Sequence, residues 1–412
     1  MSTQNKKKIL NDPVYGFINI PQGIIYEIFE HTYFQRLRRI KQLGMSHLVY
    51  PSAVHSRFSH ALGATFLMNE ALLTIKNKGT DITDDEFQAA LIAILLHDIG
   101  HGPFSHALEY SIVKDVSHEK ISLLFMQKLN EQFDGKLDMA ISIFKDEYHK
   151  HFLHQLVSSQ LDVDRMDYLR RDSFFTGVSE GAIGTQRIIK MLDVVDDNVV
   201  VEHKGIYSIE SFLHSRRIMY WQVYLHKTVL VAEHLLMNIL KRAKEVSKNG
   251  ENLFATPTLS YFLKNDIDDK VFDEDENALQ NFAILDDYDI LSSIKIWAYH
   301  AQDPVLRDLS QRLINRKFFK IEYSDKEFTA TRLKKLQKET KSKLGISDEA
   351  LDYYVFTDHT SNYMYSNTDG SIDILFKDGK VKDIANVSEQ LSVAKLKKPI
   401  RKYFICYPKE VL

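Results

Sequence analysis

Cysteine is nearly absent from this 412-residue chain: Cys406 is the only one, so neither an internal disulfide nor a cysteine-based zinc site can form within one chain. A reducing, cytoplasmic setting is expected. Long apolar runs are missing too, since stretches such as ALIAILL at 90–96 fall far short of the roughly 18 residues a membrane-spanning helix needs. The opening MSTQNKKKIL has no apolar segment of the kind a secretory signal requires, and no membrane partner is expected. A large excess of one charge is also lacking. The formal net charge of −3 speaks against a whole-surface nucleic-acid binder, and the basic clusters at Lys6 to Lys8, Arg36 to Lys41 and Lys395 to Lys402 read first as solvated faces. Proline is scarce, with 8 residues, and the apolar spacing from about 18 to 325 is mostly helical.

What is present divides the chain in two. The expected architecture is mainly α: a helical bundle over 1–325 with a small β-hairpin insertion (DVVDDNVVVEHKGIYSI, 193–209), followed by a C-terminal α+β subdomain over 326–412. In the latter, a lysine-rich helix near 331–344 precedes YYVFTD and SIDILFKDGKVKDI, whose alternation and Asp-Gly pair predict short strands and a hairpin.

The chemistry concentrates around HDIGHGPFSH at 97–106. Thr83 and Glu86 have capping-box spacing, and the helix they open is apolar on nearly every face, so it is predicted to be buried and to carry His97 and Asp98 into the interior. An unpartnered buried carboxylate costs on the order of several kcal/mol, and a cation between the two side chains removes that cost. Because adjacent helical residues diverge by about 100°, other elements must close the shell. His60 in RFSHALGATFL and Asp164 in LDVDRMDYLRRD supply the missing ligands. Two imidazoles and two carboxylates suit one divalent ion: Mn²⁺, Fe²⁺, Mg²⁺, Ni²⁺ or Zn²⁺.

Other groups fall into register with this set. If the helix continues to the Gly100–Pro103 break, His101 shares a face with His97, and His106 follows near the same mouth as a phosphate contact. Asp164, Tyr168 and Asp172 are spaced by four and form one helical stripe; Arg216, Tyr220, Tyr224 and Lys227 are expected along one face of a second, long helix. Core packing is the ordinary explanation of such aromatic stripes, and it is the order of all the motifs together that outweighs it.

NDPVYGFINI at 11–20, FQRLRRIKQLG at 34–44, RFSHALG at 57–63, HDIGHGPFSH at 97–106, LDVDRMDYLRRDS at 161–173 and YLHK at 224–227 together resemble the HD-domain deoxynucleoside triphosphate triphosphohydrolases, the branch that includes the animal enzyme with a sterile-alpha-motif domain. The resemblance covers roughly residues 8–325. It implies acid-base roles for His101 and His118, with Glu109 or Glu119 orienting an imidazole. It implies phosphate contacts at Arg57, Arg165, Arg216 and Lys227, sugar 3′-hydroxyl contacts at Gln42 and Asp172, and packing near C2′ by Leu43 and Tyr224, with Tyr220 in the same pocket. It further implies an activating nucleotide (GTP or a dNTP) held by Lys8, Glu30, Gln35 and Arg38, and a homo-oligomer, tetramer or dimer. The reaction implied is hydrolysis of a dNTP, dGTP among them, to deoxynucleoside and tripolyphosphate. Two other readings compete: an HD phosphatase acting on nucleoside monophosphates or another phosphoester, and a non-catalytic nucleotide sensor or single-strand nucleic-acid binder.

Overall fold

The computed structural model describes residues 8–104, 108, 111–113, 116–362, 370–388 and 400–411. Among the described residues the fold is mainly α with three small sheets. Its centre is the helix Arg57–Asn77, buried on nearly every side and packed between the helices Asp84–Leu96 and Val163–Thr176. Ser56 caps the first of these, accepting the Ser59 N–H, and Thr83 and Glu86 form the predicted capping box on the second. Gly63 permits the close approach of Arg57–Asn77 to Val163–Thr176: a Cβ there would lie 2.0 Å from Asp167 Oδ1 and 2.2 Å from Arg171 Nη2.

The N-terminal hairpin pairs β1 (Lys8–Asp12) with β2 (Gly16–Ile20). The predicted insertion hairpin is β3 (Leu192–Val195) and β4 (Asn198–Glu202), joined by Asp196 and Asp197, both at positive φ as a two-residue hairpin turn demands. Its edge then does something the spacing did not foretell. β4 pairs in parallel with β7 (Asp373–Leu375), which pairs with β8 (Val381–Asp383), so the C-terminal segment completes a sheet begun in the helical part. A second sheet has the order β5-β9-β6, where β5 is Lys320–Ser324, β6 is Phe356–Asn362 and β9 is Ile400–Tyr407. The expected division at 325 therefore falls between β5 and its own sheet partner. Cys406 is buried on β9, and burial pushes its thiol well above the usual range, which leaves it inert. Among the described residues no helix is long and apolar enough to cross a membrane.

Candidate metal centre and nucleotide site

The ligand atoms of His60, His97 and Asp164 lie within 4.8 Å of one another. Asp164 Oδ1 is 3.0 Å from His60 Nε2 and 3.4 Å from His97 Nε2; Asp98 Oδ1 is 3.4 Å from His97 Nε2, and Asp98 Oδ2 is 3.7 Å from His60 Nε2. His60, His97 and Asp164 thus face one point, and Asp98 flanks it, with a different oxygen toward each imidazole. Their far sides decide their protonation. His60 Nδ1 donates to Asp167 Oδ2 at 2.7 Å and His97 Nδ1 donates to the Ile94 carbonyl at 2.7 Å, so in the neutral imidazoles both Nε2 lone pairs point inward, 3.4 Å apart. Two lone pairs and two carboxylates in a buried space require a positive charge between them. Arg57 answers Asp98 from one side; within the cluster, burial opposes a charged His60, but hydrogen bonds to Asp164 and Asp167 lift its imidazole to about 10. Burial likewise works against an ionised Asp164, yet His60 and His97 hold its carboxyl well below the usual range. This donor set fits a divalent cation, and nothing in it selects among the candidate ions.

The HD turn differs from the expected continuous helix. Regular helix ends at Leu96, and His97–Gly100 close instead with tighter bonds, Ile99 N–H to Leu96 O and His101 N–H to Asp98 O. The cause is tertiary. Buried Arg36 donates to the carbonyls of Ile99 (3.2 Å), His101 (2.9 Å) and Leu285 (3.0 Å), while Ser122 Oγ accepts from Gly100 N–H and donates to His97 O. Gly100 is necessary here, since a Cβ would meet the His118 carbonyl at 2.2 Å. The same contact brings the helix His118–Gln132 against the turn. His101 and His118 consequently stack, ring centroids 3.9 Å apart and planes within 17°. His101 Nε2 also lies 3.2 Å from Asp98 Oδ1, and burial together with the Arg57 guanidinium pushes its imidazole down to about 3, so it is neutral at ordinary pH. Glu119 Oε1 is 3.4 Å from His118 Nε2. His106 and Glu109 lie outside the described residues.

Beside this centre the Asp164–Tyr168–Asp172 stripe occupies one helix, as spacing predicts. Asp172 is gripped on both oxygens, by His55 Nε2 at 2.7 Å and by the Tyr224 hydroxyl, which donates at 2.8 Å. Tyr168 and Tyr220 both pack edge-on to Tyr224, at 6.0 and 5.2 Å. Arg216 is buried and donates to Gln160 Oε1, Arg165 pairs with Asp162, and Arg57 Nη1 donates to Asp98 Oδ2 at 2.6 Å. Gln42 N–H donates to the His55 carbonyl, and its Oε1 is buried without a hydrogen-bond partner among the described residues. Leu43, next in the chain, packs on the core.

Lys227 is placed differently from expectation. The long helix is instead Ile206–Met219, a π-helical turn Tyr220–Tyr224 closed by Leu225 N–H on Tyr220 O, and a new helix Lys227–Lys248 capped by the His226 imidazole. Register is lost at the break, so Lys227 is exposed on a shallow cleft with Trp221, Tyr323 and Lys402. The four activator candidates do gather at the surface: Lys8 Nζ is 3.4 Å from Glu30, Arg38 Nε donates to Gln35 Oε1 at 2.7 Å, and Arg38 lies over the Phe58 ring.

Several residues that hold the site lie outside the stripes marked by spacing around the motifs. Asp167 and Arg171 continue the Asp164 helix at steps of three and four, a signal that was legible; His55 and Arg36 offer none, because their partners are remote in sequence.

Helices holding a buried His-Asp pair beside a second imidazole and a second carboxylate define a metal-dependent phosphohydrolase fold. Residues 57–172 match the HD domain and residues 183–256 the HD associated region. The chain is 31% identical to the uncharacterized protein YwfO of Bacillus subtilis over 99% of this chain and 94% of that one. It is 31% identical to the deoxynucleoside triphosphate triphosphohydrolase SAMHD1 homolog of Dictyostelium discoideum over 61% of this chain and 52% of that protein. A solved phosphohydrolase from Bacteroides thetaiotaomicron superposes with a TM-score of 0.95 at 53% identity, over 98% of this chain and 100% of that chain. The chain belongs to the HD-domain hydrolase family.

Proposed function

We propose that this protein hydrolyses deoxynucleoside triphosphates, dGTP among them, to deoxynucleoside and tripolyphosphate. The observation that carries the reading is Asp172: two turns along the helix from the ligand Asp164, it is clamped by His55 and Tyr224 within a wall formed by Tyr168 and Tyr220. A fixed carboxylate acceptor in an aromatic compartment beside a phosphate-processing centre suits a sugar hydroxyl, and the unpartnered Gln42 Oε1 offers a second acceptor for the 3′-hydroxyl.

A divalent ion held by His60, His97, Asp98 and Asp164 supplies Lewis-acid stabilisation of phosphate charge. Arg57, Arg165 and Arg216 neutralise the remaining triphosphate charge. His101 and His118 fill the acid-base role, one imidazole giving a proton to the departing 5′-oxygen and the pair recovering one from the attacking water, with Glu119 orienting His118. Leu43 and Tyr224 form an apolar wall at C2′, where a ribose hydroxyl would be buried without a partner. The reading extends to a homo-oligomer, dimer or tetramer, working in the cytoplasm, with GTP or a dNTP as activator at Lys8, Glu30, Gln35 and Arg38. The resemblance to triphosphohydrolases at about half their length supports it.

The test offers four dNTPs and the matching ribonucleotides, with and without GTP, in Mn²⁺, Mg²⁺ or Fe²⁺, and identifies the product. Tripolyphosphate from dNTPs alone is expected. Release of pyrophosphate or single phosphate, or turnover of monophosphates only, overturns the reading; salt-dependent oligonucleotide binding without turnover replaces it with a binding protein.

A further inference from the structure

One buried ionic chain lies outside the proposed mechanism. It starts at the N-terminal hairpin, where Asp12 Oδ1 accepts the N–H groups of Val14 (2.9 Å) and Tyr15 (3.0 Å) and so shapes the turn. Asp12 Oδ2 accepts from Arg171 Nη1 at 2.6 Å. Arg171 then grips Asp167 with two parallel bonds, Nε to Oδ2 at 2.9 Å and Nη2 to Oδ1 at 3.0 Å, and Asp167 Oδ2 accepts from His60 Nδ1 at 2.7 Å. The side chains of Arg171, Asp167 and His60 are wholly buried, and Asp12 is only 6% exposed. The Tyr15 ring covers Arg171 at 5.6 Å, and Gly63 leaves the space in which Asp167 and Arg171 meet.

We propose that Asp12 and Arg171 are positioning residues of the metal centre, so that seating of the N-terminal hairpin sets the affinity for the ion. The inference rests on the metal reading of His60, His97, Asp98 and Asp164. A planar guanidinium holding a carboxylate by two bonds fixes its plane, and that plane fixes the imidazole it serves. Asp12 holds Arg171 from the other end by one bond to Nη1. Without it, Arg171 keeps a buried donor unanswered and swings to find one, and the Asp167 plane turns with it. The chain also balances charge: Asp12 cancels Arg171, so Asp167 still presents a full negative charge behind His60.

The experiment measures Mn²⁺ binding to the metal-stripped full-length protein by titration calorimetry, with thermal unfolding of each metal-free variant alongside. Partners behind a ligating histidine are worth roughly 10–100-fold in metal affinity, so Asp167→Asn is expected in that range and Asp12→Asn and Arg171→Lys at its lower end. The discriminating readout is the double variant: Asp12→Asn in an Asp167→Asn background should add less than twofold further weakening, because both act through the same imidazole. Wild-type Mn²⁺ affinity in Asp12→Asn, or losses that simply multiply, overturns the proposal. Should Asp167→Asn fail to fold, Asp12→Asn and Arg171→Lys alone carry the decision by the same criterion. His97→Ala separates the two levels: no Mn²⁺ binding by the wild type overturns the metal reading and the relay together, whereas binding abolished by His97→Ala but untouched by Asp12→Asn removes only the relay.

Discussion

The imidazoles of His101 and His118 lie face to face with centroids 3.9 Å apart, although 17 positions separate them in the chain, and His101 also reaches Asp98 at 3.2 Å. The stack holds both imidazoles beside the candidate metal centre; because N–H groups and lone pairs lie in the ring plane, the two rings do not hydrogen-bond each other. His101→Ala or His118→Ala is expected to lower kcat by about 10²–10⁴-fold while leaving Mn²⁺ binding within a few-fold. Steady-state kinetics with calorimetry check this, and a fall in metal binding matching the fall in kcat would place these residues in the ion's shell instead.

Chelation should abolish hydrolysis, and Mn²⁺ should restore it. Because the inward lone pairs of His60 and His97 exist only in the folded chain, the ion also stabilises it, by about 2.7 kcal/mol at a free concentration a hundred times its Kd. Thermal unfolding with and without metal reads this shift, which His97→Ala and Asp98→Ala should erase.

Tyr224→Phe removes the hydroxyl that donates to Asp172 while keeping the ring against Tyr168 and Tyr220. A loss of about 1 kcal/mol, roughly fivefold in kcat/KM for dNTPs, is expected, whereas Asp172→Ala should cost considerably more. Equal kinetics for Tyr224→Phe and the wild type would remove Asp172 from sugar recognition by way of this clamp.

Gly63→Ala places a methyl group within 2.2 Å of both Asp167 and Arg171. The helices must part or the ion pair must break, a cost of about 1–3 kcal/mol. Denaturant unfolding measures the stability, and Mn²⁺ binding should weaken in parallel.

Glu86 is buried and accepts from Thr83 N–H (2.8 Å), Lys150 Nζ (2.8 Å) and Tyr148 OH (2.9 Å). Burial alone would raise its carboxyl, but these bonds outweigh it and hold it below the ordinary glutamate value. A depressed folded pKa stabilises the protein above the unfolded value of about 4.3, and that stability is lost as pH falls through the folded one. Glu86→Gln should therefore cost about 1.5–3 kcal/mol near pH 7 and less below pH 4, as unfolding curves across that range would show.

The sequence by itself determined the elements whose causes are local. Thr83 and Glu86 cap their helix because the bonds span three residues, and Asp196-Asp197 turns a hairpin because two adjacent residues suffice. Asp164, Tyr168 and Asp172 share a face because a helix repeats every 3.6 residues. The gathering of His60, His97, Asp98 and Asp164 was legible because burying such side chains in apolar helices calls for partners.

Tertiary structure decided whatever depends on groups brought together from afar. The helix ending at Leu96 was not legible, because the bonds that bend the HD turn come from Arg36 and Ser122. Neither was the π-turn at Tyr220–Tyr224, which takes Lys227 out of the stripe, since one additional residue in a turn leaves no mark on apolar spacing. The pairing of β4 with β7 and the bond from Arg171 to Asp12 join segments more than 150 residues apart, and that from His60 to Asp167 segments 107 apart. Strand edges and buried ions take their partners from whatever the packed helices bring within reach, and no local pattern encodes that distance.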